Sequence, residues 1–392
     1  MAGDPTYYDR EVSCMRVSCL QENLARGLSI VGRAVASRST ALPVLSHILL
    51  STDRGRLKLA ATNLETSINC WIGAKVEEDG AITVPARTFI DFVNTLPPET
   101  VEMTLSVRTQ TLQLVCGSTQ ANFKGIDAQE FPIIPEPEPD SQILLNPETL
   151  AQMIRQVAFA AATDESRLML TGVLTEFEGD QVTMVAADGF RLSLRSARLP
   201  QPVAEPVSVL IPARALAELG RILADQEEPV QLTITPSRGQ VIFRLTNADL
   251  VSQLIDMQFP DYRRIIPTQY ETRTVVNTEA FLQACKRASI FARDVANTAW
   301  LKIVPGGELQ PGSLIVTARS DERGDNASEV VATVEGPEIE IAFNVRYLMD
   351  VLSVIEAPEV VLETTNPRSP GVIRPVGDEE FLHVIMPMRV ER

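Results

Sequence analysis

Apolar residues recur along this chain in two periods. Over Gln21–Ala36, Leu24, Leu28 and Val31 fall on one face of a 3.6-residue repeat. Leu150, Ile154 and Val157 do the same over Asn146–Ala162, and Phe281, Cys285 and Ala288 over Asn277–Arg293. Asn146-Pro147-Glu148 and Asn277-Thr278-Glu279 add a capping side chain and an early-turn acid, so each predicts a helix start. Three further helices are predicted behind the openings Val84-Pro85-Ala86-Arg87-Thr88-Phe89, Ile211-Pro212-Ala213-Arg214-Ala215-Leu216 and Phe343-Asn344-Val345-Arg346-Tyr347-Leu348. Their apolar stripes are Phe89, Phe92, Val93 and Leu96; Leu216, Leu219, Ile222 and Leu223; and Leu348, Val351, Leu352 and Ile355. Between the helices, Leu57–Ala61, Val182–Ala186 and Leu314–Ala318 read as strands that break at Asn63, Asp188 and Ser320. Strand-like segments Asn122–Asp127, Ser252–Asp256 and Phe381–Met386 follow.

The order helix, strands, helix, strands therefore occurs three times. The second opening lies 127 residues after the first and the third 132 after the second; residues 15–392 number 378, three units of 126. Two helices on one face of antiparallel sheets make an α+β fold. The boundaries are expected near residue 137, in Glu136-Pro137-Glu138-Pro139-Asp140, and near 270, after Ile266-Pro267-Thr268. This divides the chain into a flexible N-terminal extension 1–14 and domains 15–137, 138–269 and 270–392.

Composition narrows the function. The chain has 392 residues, net charge −16 and 45% hydrophobic residues, enough for several cores. No apolar run approaches the roughly 18–20 residues needed to span a bilayer. Met1–Arg10 is too polar for a signal peptide. Five cysteines without metal or redox spacing suit reduced thiols and a cytoplasmic protein. His47 and His383 are the only histidines, and no phosphate loop, dinucleotide fingerprint or nucleophile elbow occurs. No metal, cofactor or catalytic set is expected. An enzyme reading would rest on Asp188, Arg191 and Asp261 with no activating partner. A general acidic scaffold that never meets DNA is a third reading.

The charge is unevenly distributed. The six predicted helices carry ten basic residues against six acidic ones, so they sum to +4 and the remainder to −20. If their polar faces share a surface, that surface is positive and suits a polyanion held without base readout. Its cations are Arg26, Arg33, Arg87, Arg155, Arg214, Arg221, Lys286, Arg287, Arg293 and Arg346.

Pro43-Val44-Leu45, Val84-Pro85-Ala86-Arg87, Asp188-Gly189-Phe190-Arg191-Leu192, Phe259-Pro260-Asp261-Tyr262-Arg263-Arg264, Phe343-Asn344-Val345-Arg346-Tyr347 and Met386-Pro387-Met388-Arg389, set in a triplicated chain, resemble the bacterial DNA polymerase III beta subunits, the sliding clamps. The resemblance spans about residues 15–390, and Met15 matches the usual family start. It implies a non-catalytic processivity factor: a head-to-tail homodimer of three-domain protomers, with twelve helices lining a hole around duplex DNA and sheets outside. It implies as partners DNA without sequence preference, a second copy, the polymerase III alpha subunit, the clamp loader and other proteins of replication and repair that carry a clamp-binding motif.

The family's partner-peptide site carries over to Leu170, Ala187, Gly189, Phe190, Arg191, Leu192, Pro260, Arg264, Ile265, Asn344, Tyr347, Val384, Ile385, Met386, Pro387, Met388, Arg389 and Val390. Leu, Ile, Pro and Met suit a short peptide with Leu and Phe anchors, and Arg191 and Arg389 are expected to frame it with polar contacts. Ala187 and Phe190 stand where the family often has a hydroxyl residue and a histidine. Leu168 and Met169 replace aromatic residues that meet DNA in relatives, so that contact is not carried over. Arg38 and Arg87 match basic lumen positions. Phe123, Ile290 and Phe291 match the family's apolar contacts between protomers.

Overall fold

A computed structural model describes residues 13–36, 42–136 and 142–389. The elements run in three similar passes. The first holds β1 (Ser13–Leu20), α1 (Gln21–Val31), β2 (His47–Asp53), β3 (Arg56–Thr62), β4 (Thr66–Ile72), β5 (Lys75–Glu78), β6 (Ala81–Pro85), α2 (Ala86–Val93), β7 (Thr100–Ser106), β8 (Thr111–Cys116) and β9 (Thr119–Lys124). The second holds β10 (Ile143–Leu145), α3 (Pro147–Val157), β11 (Gly172–Glu178), β12 (Gln181–Ala187), β13 (Arg191–Arg198), β14 (Val207–Pro212), α4 (Ala213–Ile222), β15 (Val230–Ile234), β16 (Gln240–Arg244) and β17 (Ala248–Gln253). The third holds β18 (Thr272–Asn277), α5 (Thr278–Ala292), β19 (Thr298–Val304), β20 (Gly312–Ser320), β21 (Gly324–Glu335), β22 (Ile339–Asn344), α6 (Val345–Ser353), β23 (Glu359–Thr364), β24 (Gly371–Pro375) and β25 (Phe381–Ile385).

The helices form where the apolar stripes predict them. Leu24, Leu28, Val31, Leu150, Val157, Phe281, Cys285 and Ala288 are all at most 1% exposed. Asn146 and Asn277 cap α3 and α5, each side chain accepting from the backbone N–H three residues on, at 3.0 and 2.9 Å. On the second helix of each pass, Phe89, Leu216 and Leu348 are fully buried. Truncating any of these to Ala would cost roughly 2–5 kcal/mol, the transfer loss plus the cavity.

The strands pair antiparallel in three sheets, ordered β5-β1-β7-β8-β9, β10-β15-β16-β17-β4-β3-β2-β6 and β14-β11-β12-β13-β25-β24-β23-β18-β21-β20-β19-β22. Two compact units result. One comprises the described residues up to Leu144 together with Asp225–Gln253; the other comprises Leu145–Ala224 with Leu254 onward. These limits cut across the three predicted repeats, and strand pairing is the reason. β17 ends the second pass but hydrogen-bonds to β4 of the first, with Leu250 opposite Ile68. β25 ends the third pass but pairs with β13 of the second, with Val384 opposite Leu192. Cohesion follows the sheets across repeat boundaries.

In the first unit α1 lies close on β3 and β4. A Cβ on Gly27 would sit 2.7 Å from Leu59 Cδ1 and 2.9 Å from Ile72 Cγ2, so glycine permits this approach. In the second unit α5 and α6 share a core with β19–β22, built on Phe281, Leu301, Val316, Ile341 and Val351.

Candidate functional site

The breaks expected at Asn63, Asp188 and Ser320 prove to be one turn used three times. In each, the side chain accepts from the backbone N–H groups two and three residues on. Asn63 Oδ1 takes Glu65 and Thr66 at 3.0 and 2.8 Å. Asp188 Oδ1 takes Phe190 and Arg191 at 2.8 and 3.0 Å. Ser320 Oγ takes Glu322 and Arg323, both at 3.3 Å. Short polar side chains offer the backbone this local alternative to a ladder. At the second copy Gly189 adopts φ +91°, a conformation that strains any other residue.

This turn presents Phe190, 57% exposed, beside the chain leaving β25, where the Met386 N–H donates to the Phe190 carbonyl at 2.8 Å. Met386 and Ile265 are also exposed large apolar residues, and Pro260 is exposed. Beneath lies an apolar cluster of Ala187, Leu192, Val384, Val372, Leu382, Phe259 and Tyr262, edged by half-buried Leu170 and Ile266. Tyr262 is held by its hydroxyl donating to Glu176 at 2.8 Å; burial first and that bond second push its pKa up. Arg264 pairs with Asp261 at 2.9 Å. Downstream, the Met388 N–H donates to the Ala342 carbonyl at 2.8 Å, Pro387 is half-buried and Arg389 exposed. Asn344 caps α6 through the Arg346 N–H at 3.0 Å, and Tyr347, one turn in, is half-buried.

Several predicted residues sit differently from expectation. Leu192 and Val384 are 1% exposed and Ile385 is 0%, so they form the floor and core under the site and are not free surface. Arg191 does not frame the site. It precedes Leu192 in the strand, and successive strand residues point to opposite faces. Its guanidinium donates to Asp188 at 3.0 Å, Asp350 at 2.5 Å and the Phe159 carbonyl at 2.9 Å, and lies 4.3 Å from the Tyr347 ring centre and 5.3 Å from that of Phe159. Only 10% of that side chain is exposed. Asp188, Arg191 and Asp261, the residues of the enzyme reading, are thus engaged in ion pairs. Val390 lies outside the described residues.

Two strand positions along, on the same face of the β13–β25 pair, His383 is wholly buried. Its Nδ1 lies 2.7 Å from Ser193 Oγ and its ring stacks on Phe159 at 5.6 Å. Burial, then the Arg191 charge, lowers its pKa to about 3, so it is neutral. His47, at 3.1 Å from Thr83 Oγ1, has its pKa lowered chiefly by burial. Among the described residues no group of His, Cys, Asp or Glu is placed to hold a metal, and no helix is long and apolar enough to cross a membrane.

The helix cations differ in how far their charge is already engaged. Arg26, Lys286 and Arg346 are exposed and make no ion pair among the described residues; Arg33 is also exposed. Four others share their charge with acids: Arg87 with Asp91 at 4.0 Å, Arg155 with Glu356 at 2.7 Å, Arg214 with Glu165 at 3.5 Å, and Arg221 with Glu218. Arg287 donates to Ser328 at 3.0 Å. Glu356 and Glu165 lie just past the predicted helix ends, so the +4 of the helices overstates the field at their surface. Exposed pairs contribute only about 0–1 kcal/mol each and can exchange for a stronger anion. Arg38 lies outside the described residues. Of the apolar contacts expected between protomers, Ile290 is 51% exposed and Phe291 half-buried against its own core. Phe123 is a core residue instead, 7% exposed and edge-on to Phe89 and Phe92 at 5.0 and 5.4 Å.

Comparison with known proteins gives the family. Models of the DNA polymerase III beta subunit N-terminal, central and C-terminal domains match residues 15–135, 144–261 and 263–389. The beta sliding clamp of Bacillus subtilis is 34% identical over 385 residues, covering 96% of this chain and all of that protein. This chain belongs to the DNA polymerase III beta subunit family. The beta sliding clamp of Staphylococcus epidermidis is 32% identical over 366 residues, covering 91% and 94%. The DNA polymerase sliding clamp structure from Bacillus subtilis superposes with TM-score 0.90 at 32% identity, covering 97% of this chain and all of that one. The beta subunit from Pseudomonas aeruginosa gives 0.87 at 28%, covering 96% and 100%. The chain is accordingly a sliding clamp with three clamp domains, a processivity factor of DNA replication without catalytic activity of its own. Reading this clamp by sequence missed Asp350, Phe159 and Arg167 beside the Asp188 turn; Arg167 Nη1 donates to the Asp188 carbonyl at 2.6 Å. Only the Asp-Gly pair closing a strand marked the turn, and nothing local marked residues about 30 and 160 positions away.

Proposed function

We propose that two copies of this clamp close head to tail into a ring that encircles duplex DNA and tethers the replicative polymerase. Unfinished sheets carry the reading. Two sheet segments each join four strands of one repeat to closing strands of the next: β6-β2-β3-β4 continues into β17-β16-β15-β10, and β14-β11-β12-β13 into β25-β24-β23-β18. The first repeat's own closing strands end at β9, a free edge among the described residues. In the third repeat β22-β19-β20-β21 has the place of the four leading strands, and β21 pairs with β18 only from Ala332 to Glu335, leaving that side of Gly324–Val331 unpaired among the described residues. Both edges are the kind that invite another strand. Joining one copy's β9 to the other's β21 repeats the internal junction and, made twice, closes a ring. Lys124 on β9 and Asp325 and Glu329 on β21 complement this pairing.

Arg26, Arg33, Arg38, Arg87, Arg155, Arg214, Arg221, Lys286, Arg287 and Arg346 then face the duplex through exchangeable phosphate contacts, and retention is topological. The surface around Phe190, Ile265 and Met386 receives Leu and Phe anchors of the polymerase alpha subunit, the clamp loader and other clamp-binding proteins. The matched segments support domains of 15–137, 138–269 and 270–392, and the protein acts in the cytoplasm. Sedimentation equilibrium should give twice 43.0 kDa. Loaded ring should stay on nicked circular DNA and run off once that DNA is linearised. A monomer at micromolar concentration, or equal retention on both DNAs, rejects the reading.

A further inference from the structure

The three copies of the side-chain-held turn differ in what the third residue on does. At Asn63 the third residue on is Thr66, which cannot form an ion pair; at Ser320 it is Arg323, whose guanidinium turns away to Asp294 at 2.5 Å. At Asp188 the turn-forming side chain is itself gripped, because its second carboxylate oxygen takes Arg191 and Arg191 is held in turn by Asp350 and Tyr347 of α6. That copy is also the one that presents Phe190 and accepts the Met386 N–H. We propose that Arg191 is a positioning residue for the partner-peptide site: anchored on Asp350, it fixes the Asp188 turn so that Phe190 and Met386 are set before a peptide arrives. The inference rests on the peptide-site reading above.

The chemistry favours this role over peptide contact. The Arg191 guanidinium is spent on two carboxylates and a carbonyl and lies against the Tyr347 and Phe159 rings, so little of it is left for a ligand. Met386 hangs from the turn by one backbone bond, and a turn free to rock carries Phe190 and Met386 with it. Ordering them at the moment of binding would then draw on the affinity.

Anisotropy with a fluorescein-labelled peptide bearing adjacent Leu and Phe anchors reads the affinity; amide exchange at Phe190 and Met386 reads the turn. Asp350, half-exposed on α6, is the safest handle. Asp350→Asn should weaken the peptide about threefold to tenfold, the range for removing one charge-assisted bond at partial exposure. Asp350→Glu should restore it to within about twofold, and Met386 exchange should quicken in Asp350→Asn alone. Arg191→Lys should weaken binding, and the double variant Arg191→Lys/Asp350→Asn should lose no more than the worse single one. Wild-type affinity in Asp350→Asn, losses that multiply in the double variant, or weakened binding with unchanged Met386 exchange would each overturn the proposal. Met386→Asp is the control for the site itself. If that variant binds as wild type, the peptide-site reading falls and this proposal with it; if it abolishes binding while Asp350→Asn does nothing, only the positioning role falls.

Discussion

His383 tests how firmly the second and third repeats are joined along β13 and β25. Its ring is wholly buried and stacked on Phe159, its Nδ1 lies 2.7 Å from Ser193 Oγ, and burial with the Arg191 charge lowers its pKa from 6.5 to about 3. In the unfolded chain the same imidazole titrates near 6.5. As pH falls below that value the unfolded chain takes up a proton that the folded chain refuses. Stability from this group is therefore unaffected above about pH 6.5 and declines as pH falls toward about 3. At about 1.36 kcal/mol per pH unit, roughly 1.5 units separate 6.5 from pH 5, so the loss there is about 2 kcal/mol. His383→Gln keeps a polar group for Ser193 and removes the titration. Urea unfolding of both proteins at pH 8 and pH 5 should show the variant gaining about 2 kcal/mol relative to wild type on acidification, the carboxylate contributions cancelling in the difference. With two histidines in the chain, imidazole NMR also assigns directly: the signal that disappears in His383→Gln should not titrate above about pH 5 in the native protein. A wild-type-minus-variant difference that is the same at both pH values, or a native His383 that titrates between about pH 6 and 7, refutes the reasoning.

Charge reversal at Arg26, Lys286 or Arg346 should weaken binding to short linear duplex and lower the slope of log affinity against log salt by about one for each phosphate no longer neutralised, whereas Arg221→Glu should do less because Glu218 already shares its charge. Gly189→Val should lower the melting temperature, by strain of about 1–3 kcal/mol at φ +91°, and should also abolish peptide binding. Its new side chain starts 3.2 Å from Arg167 Nη1. Ile290→Asp should raise the dimer dissociation constant at least about tenfold in sedimentation velocity with little change in melting, since Ile290 is 51% exposed. Phe123→Ala should instead cost about 3–5 kcal/mol of folding stability, measured by urea unfolding, because the ring is buried against Phe89 and Phe92. Normal stability with a weakened dimer in Phe123→Ala would return that residue to the protomer boundary.

What the sequence determined by itself is whatever depends on neighbours within a few turns or strand positions. The apolar period of Leu24, Leu28 and Val31 dictates a helix and its buried face, and Asn146 and Asn277 mark helix starts because a cap is satisfied three residues away. The breaks at Asn63, Asp188 and Ser320 were legible for the same reason: each turn closes on its own side chain. The triplication, and with it the fold class and family, is a pattern of such local signals. Tertiary structure alone decided which strands meet. β17 joins β4 and β25 joins β13 across repeats, so the compact units do not coincide with the repeats. It also decided that Arg191 is held inside while Phe190, its neighbour, stands in solvent, and that Phe123 fills its own core. Strand alternation allows either face to be the buried one. The choice belongs to partners such as Asp350, 159 residues from Arg191, and ion pairs and ring contacts over that separation exist only once the chain has folded.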